Sequence, residues 1–152
     1  MTIGFCGHSE IVDISAAKNA VFRFLEKIFE TDVIFLLGGY GDFDSICLAC
    51  CEEYKKSINP NAKLCFVTPY LSDSYLKNKS RIAQKCDEII YPELENVPKR
   101  YAISRRNQWI VDHCDVLLCF IDYGWGGAYQ MCFYAKRKKA CSVINLGTLE
   151  IK

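Results

Sequence analysis

Two glycine-rich turns hold the residues best suited to chemistry. Gly38-Gly39-Tyr40-Gly41-Asp42 follows the apolar run Val33–Leu37, and Gly124-Trp125-Gly126-Gly127-Ala128 follows Val116–Ile121. Each run reads as a buried strand, and each turn leads into a helical pattern. Glycine removes the Cβ and lets a backbone approach a ligand closely. A helix that starts at such a turn aims unpaired N–H groups and the positive end of its dipole at whatever binds there. The chemistry this suits is phosphate binding, and its occurrence twice in 152 residues points to a nucleotide-type ligand.

Other candidates are single residues whose roles stay open. Gly7-His8 closes the first apolar run; His8 either donates to a phosphate or acts in acid–base chemistry, unless it is simply a polar turn residue. Arg105-Arg106-Asn107 opens a helical stretch before the second turn. Arginine presents a planar fork that matches phosphate oxygens, with Arg106 the stronger candidate of the two. Tyr40, Tyr123 and Trp125 flank the glycines and suit base stacking, a lid or a subunit contact. Asp42 and Asp44 suit capping of the second helix or a bond to a ribose hydroxyl.

The elements that must position these residues alternate. Strands are expected at Ile3–Cys6, Val33–Leu37, Lys63–Thr68, Glu88–Tyr91, Val116–Ile121 and Cys141–Asn145, and helices at Ser15–Glu30, Phe43–Ser57, Tyr101–His113 and Gly126–Lys138. A further short helix is expected within 71–85. The first helix carries Ala17, Val21, Phe24, Leu25, Ile28 and Phe29 at three and four spacing, with Asp13 or Ser15 as its cap. Near-continuous apolar strands alternating with helices indicate an α/β fold: a single Rossmann-like domain over 1–152, its mainly parallel sheet covered by helices on both faces. Such sheets bind ligands at the carboxyl ends of their strands, where Gly7-His8 and both glycine turns fall.

Composition narrows the classes. Net charge is +1, which argues against nucleic acid or an anionic membrane as a partner. Lys136-Arg137-Lys138-Lys139 reads as a solvated helix end that complements its dipole. No apolar run approaches the ~20 residues of a bilayer span. The chain opens directly on a strand pattern without a leader, so a cytoplasmic protein is expected. Ten cysteines fall mostly on core-like segments, where cysteine behaves as a small hydrophobe. Cys47-Leu48-Ala49-Cys50 has redox or zinc spacing but no second ligand pair. Reduced thiols, no metal and no cofactor are expected.

The order Arg105-Arg106-Asn107, Asp115, strand, Gly124-Trp125-Gly126-Gly127-Ala128 resembles the core of LOG-type proteins. Those belong to the wider SLOG superfamily, with the DNA-processing protein DprA and the YpsA-like proteins. Cys6-Gly7-His8, Gly38–Asp42, Val67-Thr68-Pro69-Tyr70-Leu71 and Arg106-Asn107 look closest to the YpsA-like members. The resemblance implies a phosphate cradle, a homo-oligomer (a dimer or higher) and, for LOG enzymes, release of a base from a nucleoside monophosphate. It puts the LOG arginine at Arg105 or Arg106 and the LOG glutamate at about Gln130, and glutamine cannot act as a general base. Asn107 stands where LOG enzymes carry lysine. The catalytic residues are therefore unknown, Arg106 and Gln130 being weak candidates. The leading expectation is a protein that senses or sequesters a nucleotide or nucleotide-derived ligand, such as AMP or ADP-ribose. The alternatives are an N-glycosidic-bond hydrolase or transferase, with Glu10, Asp42 or Asp122 replacing the missing glutamate, and single-stranded DNA binding.

Overall fold

Strand propensity and the expected alternation settle into one sheet. A computed structural model describes residues 1–139 and 141–151. The strands are β1 (Thr2–Gly7), β2 (Ile34–Leu37), β3 (Lys63–Val67), β4 (Glu88–Ile90), β5 (Val116–Phe120) and β6 (Ser142–Asn145). They form a six-stranded sheet in the order β4-β3-β2-β1-β5-β6, and every pairing is parallel. The fold is α/β and Rossmann-like.

The helices are α1 (Ile14–Glu26), α2 (Gly41–Ser57), α3 (Asp73–Asn78), α4 (Ser80–Lys85), α5 (Ala102–His113) and α6 (Gly127–Lys138). Side chains alternate across the strands, so the sheet has two cores. Ile3, Phe5, Phe35, Leu37, Leu64 and Phe66 pack with α1 and α2. Cys6, Leu36, Cys65, Val67, Leu117 and Cys119 pack with α5 and α6 on the other face. Gly4 admits α5 closely: a Cβ there would lie 2.6 Å from Ile110 Cγ2.

Most element ends move by one or two residues from expectation; two differences are larger. Helix α1 stops at Glu26, because Lys27 and Ile28 donate to Phe24 and Leu25 three residues back, which tightens and ends the last turn. Phe29, read as part of the apolar stripe, is exposed. The stretch 71–85 forms two helices, the first capped by Ser72 accepting from Tyr75 N–H. Eight of the ten cysteines are buried. Cys47 and Cys50 sit within α2, and burial raises both thiols, Cys50 to about 11. The thiolate that redox or metal chemistry requires is disfavoured there. Among the described residues no helix is long and apolar enough to cross a membrane.

The strand order creates a switch point beside β1. From β1 the chain steps outward through β2, β3 and β4, then returns to the other side of β1 as β5. The carboxyl ends of β1 and β5 therefore flank a switch point, the crevice where open parallel sheets bind ligands.

Candidate functional site

A cleft of about 180 Å³ opens at that switch point. Its walls come from the end of β1 (Phe5–His8 and Ser9), the turn after β2 (Gly38, Tyr40), α2 (Asp44), α5 (Ile103, Arg106, Asn107, Ile110) and the start of α6 (Gly126–Ala128, Met131), with Tyr123 beside them. Gly126 has φ +91°, a conformation that favours glycine, and a Cβ on Gly126 or Gly127 would meet nothing within 4 Å. Helix α6 has no side-chain cap and no acidic residue in its first turn. Its first intrahelical bond runs from Gln130 N–H to Gly126 O, which leaves the amides of Gly127, Ala128 and Tyr129 available. The positive end of this helix opens into the cleft.

His8 lines the same cleft and is 4% exposed. Its Nε2 accepts from Asp122 N–H at 3.0 Å, so the ring proton sits on Nδ1. The ring stacks on Tyr123 at 3.7 Å, and Tyr123 packs on Trp125 at 4.1 Å. Asp122 Oδ1 holds this loop by accepting from the N–H and hydroxyl of Thr148. Burial pulls the His8 pKa below its ordinary value, against the opposing Asp122 charge. The folded state thus favours neutral His8, a donor through Nδ1. Because the folded pKa is depressed, stability is complete above the unfolded value of ~6.5 and erodes as pH falls through the folded value. Urea midpoints measured from about pH 8 to 5 should fall more steeply in the parent than in His8→Gln. Equal slopes would remove His8 from the acid response.

Arg106 does something the sequence reading does not anticipate. It is 1% exposed, on the buried stripe of α5 with Ala102 and Ile110. Its Nη1 donates to Gly38 O at 2.5 Å and Val67 O at 2.8 Å, and its Nε donates to Asn107 Oδ1 at 2.9 Å. The guanidinium therefore clamps the carboxyl ends of β2 and β3 to α5. Its charge still borders the cleft, although burial lowers its pKa while Asp44 works to raise it.

Asp44 is the site residue that sequence reasoning placed as a helix cap or ribose ligand without a position. Its Oδ2 accepts from Tyr40 N–H at 2.8 Å. Burial raises its pKa, opposed by that hydrogen bond and by Arg106 and Lys79. The available signal was its position one helical turn after Tyr40, on the side of α2 that faces the glycine turn.

Of the expected site residues, the structure brings Gly7, His8, Gly38, Tyr40, Arg106, Asn107, Gly126, Gly127 and Ala128 to the cleft. The others lie outside its lining. The carbonyl of Gly39 accepts from Lys79 Nζ. Gly41 and Asp42 instead fasten the loop after β1: Asp42 N–H donates to Ser9 O and Asp42 Oδ2 accepts from Ile11 N–H, while Gly41 packs against Ser9. Arg105, Gly124 and Trp125 are exposed. Gln130 lines the adjoining groove between α5 and α6, not the cleft itself. The carboxylates considered for hydrolysis, Glu10, Asp42 and Asp122, also lie outside the cleft lining.

Six parallel strands with helices on both faces define the class: a Rossmann-like α/β fold. No protein-family model and no curated protein matches the chain. Among solved structures it is similar to DNA processing protein A from Helicobacter pylori, in a structure describing that protein's single-stranded DNA binding mode. The TM-score is 0.66 at 13% identity, over 98% of this chain and 66% of that one. The likeness is one of fold, and the chain spans about two thirds of its neighbour. It overturns the expectation that near-zero net charge argues against nucleic acid: this fold serves a single-stranded DNA binder, and net charge says nothing of how charge is distributed over a surface.

Proposed function

We propose that the chain binds a phosphate-bearing nucleotide unit in the β1/β5 cleft, to sense or sequester it rather than turn it over. One observation carries this: the uncapped first turn of α6 opens into a cleft that also holds the buried His8, whose Nε2 accepts from Asp122 N–H. Backbone N–H donors, a helix dipole and an imidazole N–H converge where a phosphate fits. Asp44, held by Tyr40 N–H, accepts a ribose hydroxyl on the opposite wall. Against hydrolysis stand the position of Gln130 and the absence of Glu10, Asp42 and Asp122 from the lining. The finer likeness to YpsA-like members, the single domain over 1–152 and a homo-oligomeric state belong to the same proposal.

A second reading is single-stranded DNA, favoured by the fold shared with the Helicobacter protein. Thermal unfolding with AMP, ADP-ribose, cyclic ADP-ribose and an oligothymidylate tests both. At a hundredfold excess over the dissociation constant, a true ligand stabilises by about 2.7 kcal/mol. A shift with none of them would reject the proposal. Released base at about 1–10³ per second, followed by chromatography, would restore the hydrolase.

A further inference from the structure

The cleft is smaller than the ~300 Å³ at which sites for drug-sized ligands begin, so it takes the phosphate and sugar of one nucleotide and leaves the rest outside. Beside it runs a groove of about 490 Å³ between α5 and α6. The two share Ile103, Asn107, Gly127 and Met131, so the groove is a continuation of the cleft past the start of α6. Its own walls carry Arg100, Ser104, Gln130, Phe133 and Arg137, and no carboxylate lines it.

Charge is unevenly distributed across the molecule. Helices α5 and α6 carry Arg105, Lys136, Arg137 and Lys138 at the surface, against one carboxylate within them, Asp112. Asp112 accepts from Tyr134 O–H at the far side of the groove. Since the whole chain is +1, the remainder is net acidic, and this face is a local positive field. Phe133 is 50% exposed, with the Arg137 guanidinium 6.0 Å over its ring. Grooves that bind single strands combine cations that track the backbone with aromatic rings on which bases stack.

We infer that the α5/α6 groove carries the sugar–phosphate backbone of a single-stranded nucleic acid whose leading nucleotide occupies the cleft. The inference rests on the cleft reading and decides its ligand class: a polymer rather than a free nucleotide. Arg100 and Arg137 neutralise successive phosphates, and Phe133 offers a stacking face.

The test compares dTMP with a fluorescein-labelled oligothymidylate of about ten nucleotides, titrated against the full chain at several salt concentrations. The oligomer should bind at least about tenfold more tightly than dTMP, a difference of about 1.4 kcal/mol. The exposed double variant Arg100→Gln/Arg137→Gln should lower the slope of log K against log salt by about 1.4, at ~0.7 per lost phosphate contact. Its dTMP affinity should stay within about twofold, because neither arginine lines the cleft. An unchanged slope, or an oligomer that binds no better than dTMP, overturns the groove. So does loss of oligomer binding through a dimer that buries this face, read by light scattering. Failure of dTMP to bind the parent counts against the cleft reading, while the groove is judged on the oligomer.

Discussion

Arg106→Ala is expected to cost about 3–5 kcal/mol of folding stability, the loss typical when one partner of a buried charged network is removed. The sequence casts Arg106 as a ligand arginine, whose loss would weaken binding and leave the fold intact. The structure commits its Nη1 to Gly38 O and Val67 O. Without it, two carbonyls at the ends of β2 and β3 lose a charged donor, and each bond to a charged group contributes about 1.5–3 kcal/mol. The deletion also leaves a cavity between α5 and the sheet, and Asp44 loses the charge that opposes its desolvation. Arg106→Lys should recover only part of the loss, because a point ammonium cannot serve both carbonyls and Asn107 in the fork's geometry. Urea unfolding followed by circular dichroism measures both variants. A parent-like midpoint with lost ligand binding would return Arg106 to the ligand role.

That contrast shows what was legible in the sequence. The apolar runs and the two glycine turns were enough to place six strands of a parallel sheet and the edge on which its cleft opens. Which side of an element a residue faces was harder. Arg106 stands four residues after Ala102 and four before Ile110, so helical spacing alone puts it on the buried stripe of α5. Arginine's chemistry outweighed that spacing because arginine rarely sits fully buried. The first glycine turn looked equivalent to the second. It differs because Gly41 and Asp42 bind the loop after β1, a long-range contact that no local pattern encodes. Asp44 was overshadowed by its cap-like position. The groove between α5 and α6 needed the packing of two helices distant in sequence. The net charge of the chain concealed it, since a balanced total is compatible with one basic face.

Gly127→Asp is expected to abolish phosphate-ligand binding while leaving the fold as stable as the parent or slightly more so. The opposite signs make the variant informative. Gly127 is the first residue of α6, and a Cβ built there meets nothing within 4 Å, so a side chain enters open space without strain. A carboxylate in the first turn complements the helix dipole, an effect of about 0.3–1 kcal/mol at low ionic strength. The same carboxylate accepts from the amides that a phosphate needs, and it sets a negative charge against the ligand. Two like charges about 4 Å apart repel by about 4 kcal/mol at the effective dielectric of a protein surface, and about 1.4 kcal/mol is a tenfold loss in affinity. Binding should therefore fall by about two to three orders of magnitude. Gly127→Asn, which is nearly isosteric and uncharged, should lose far less. Calorimetric titration with the ligand that stabilises the parent, paired with thermal unfolding of the free variants, reads both effects. If Gly127→Asp binds as tightly as the parent, the α6 terminus holds no phosphate, and the ligand sits elsewhere on this sheet edge.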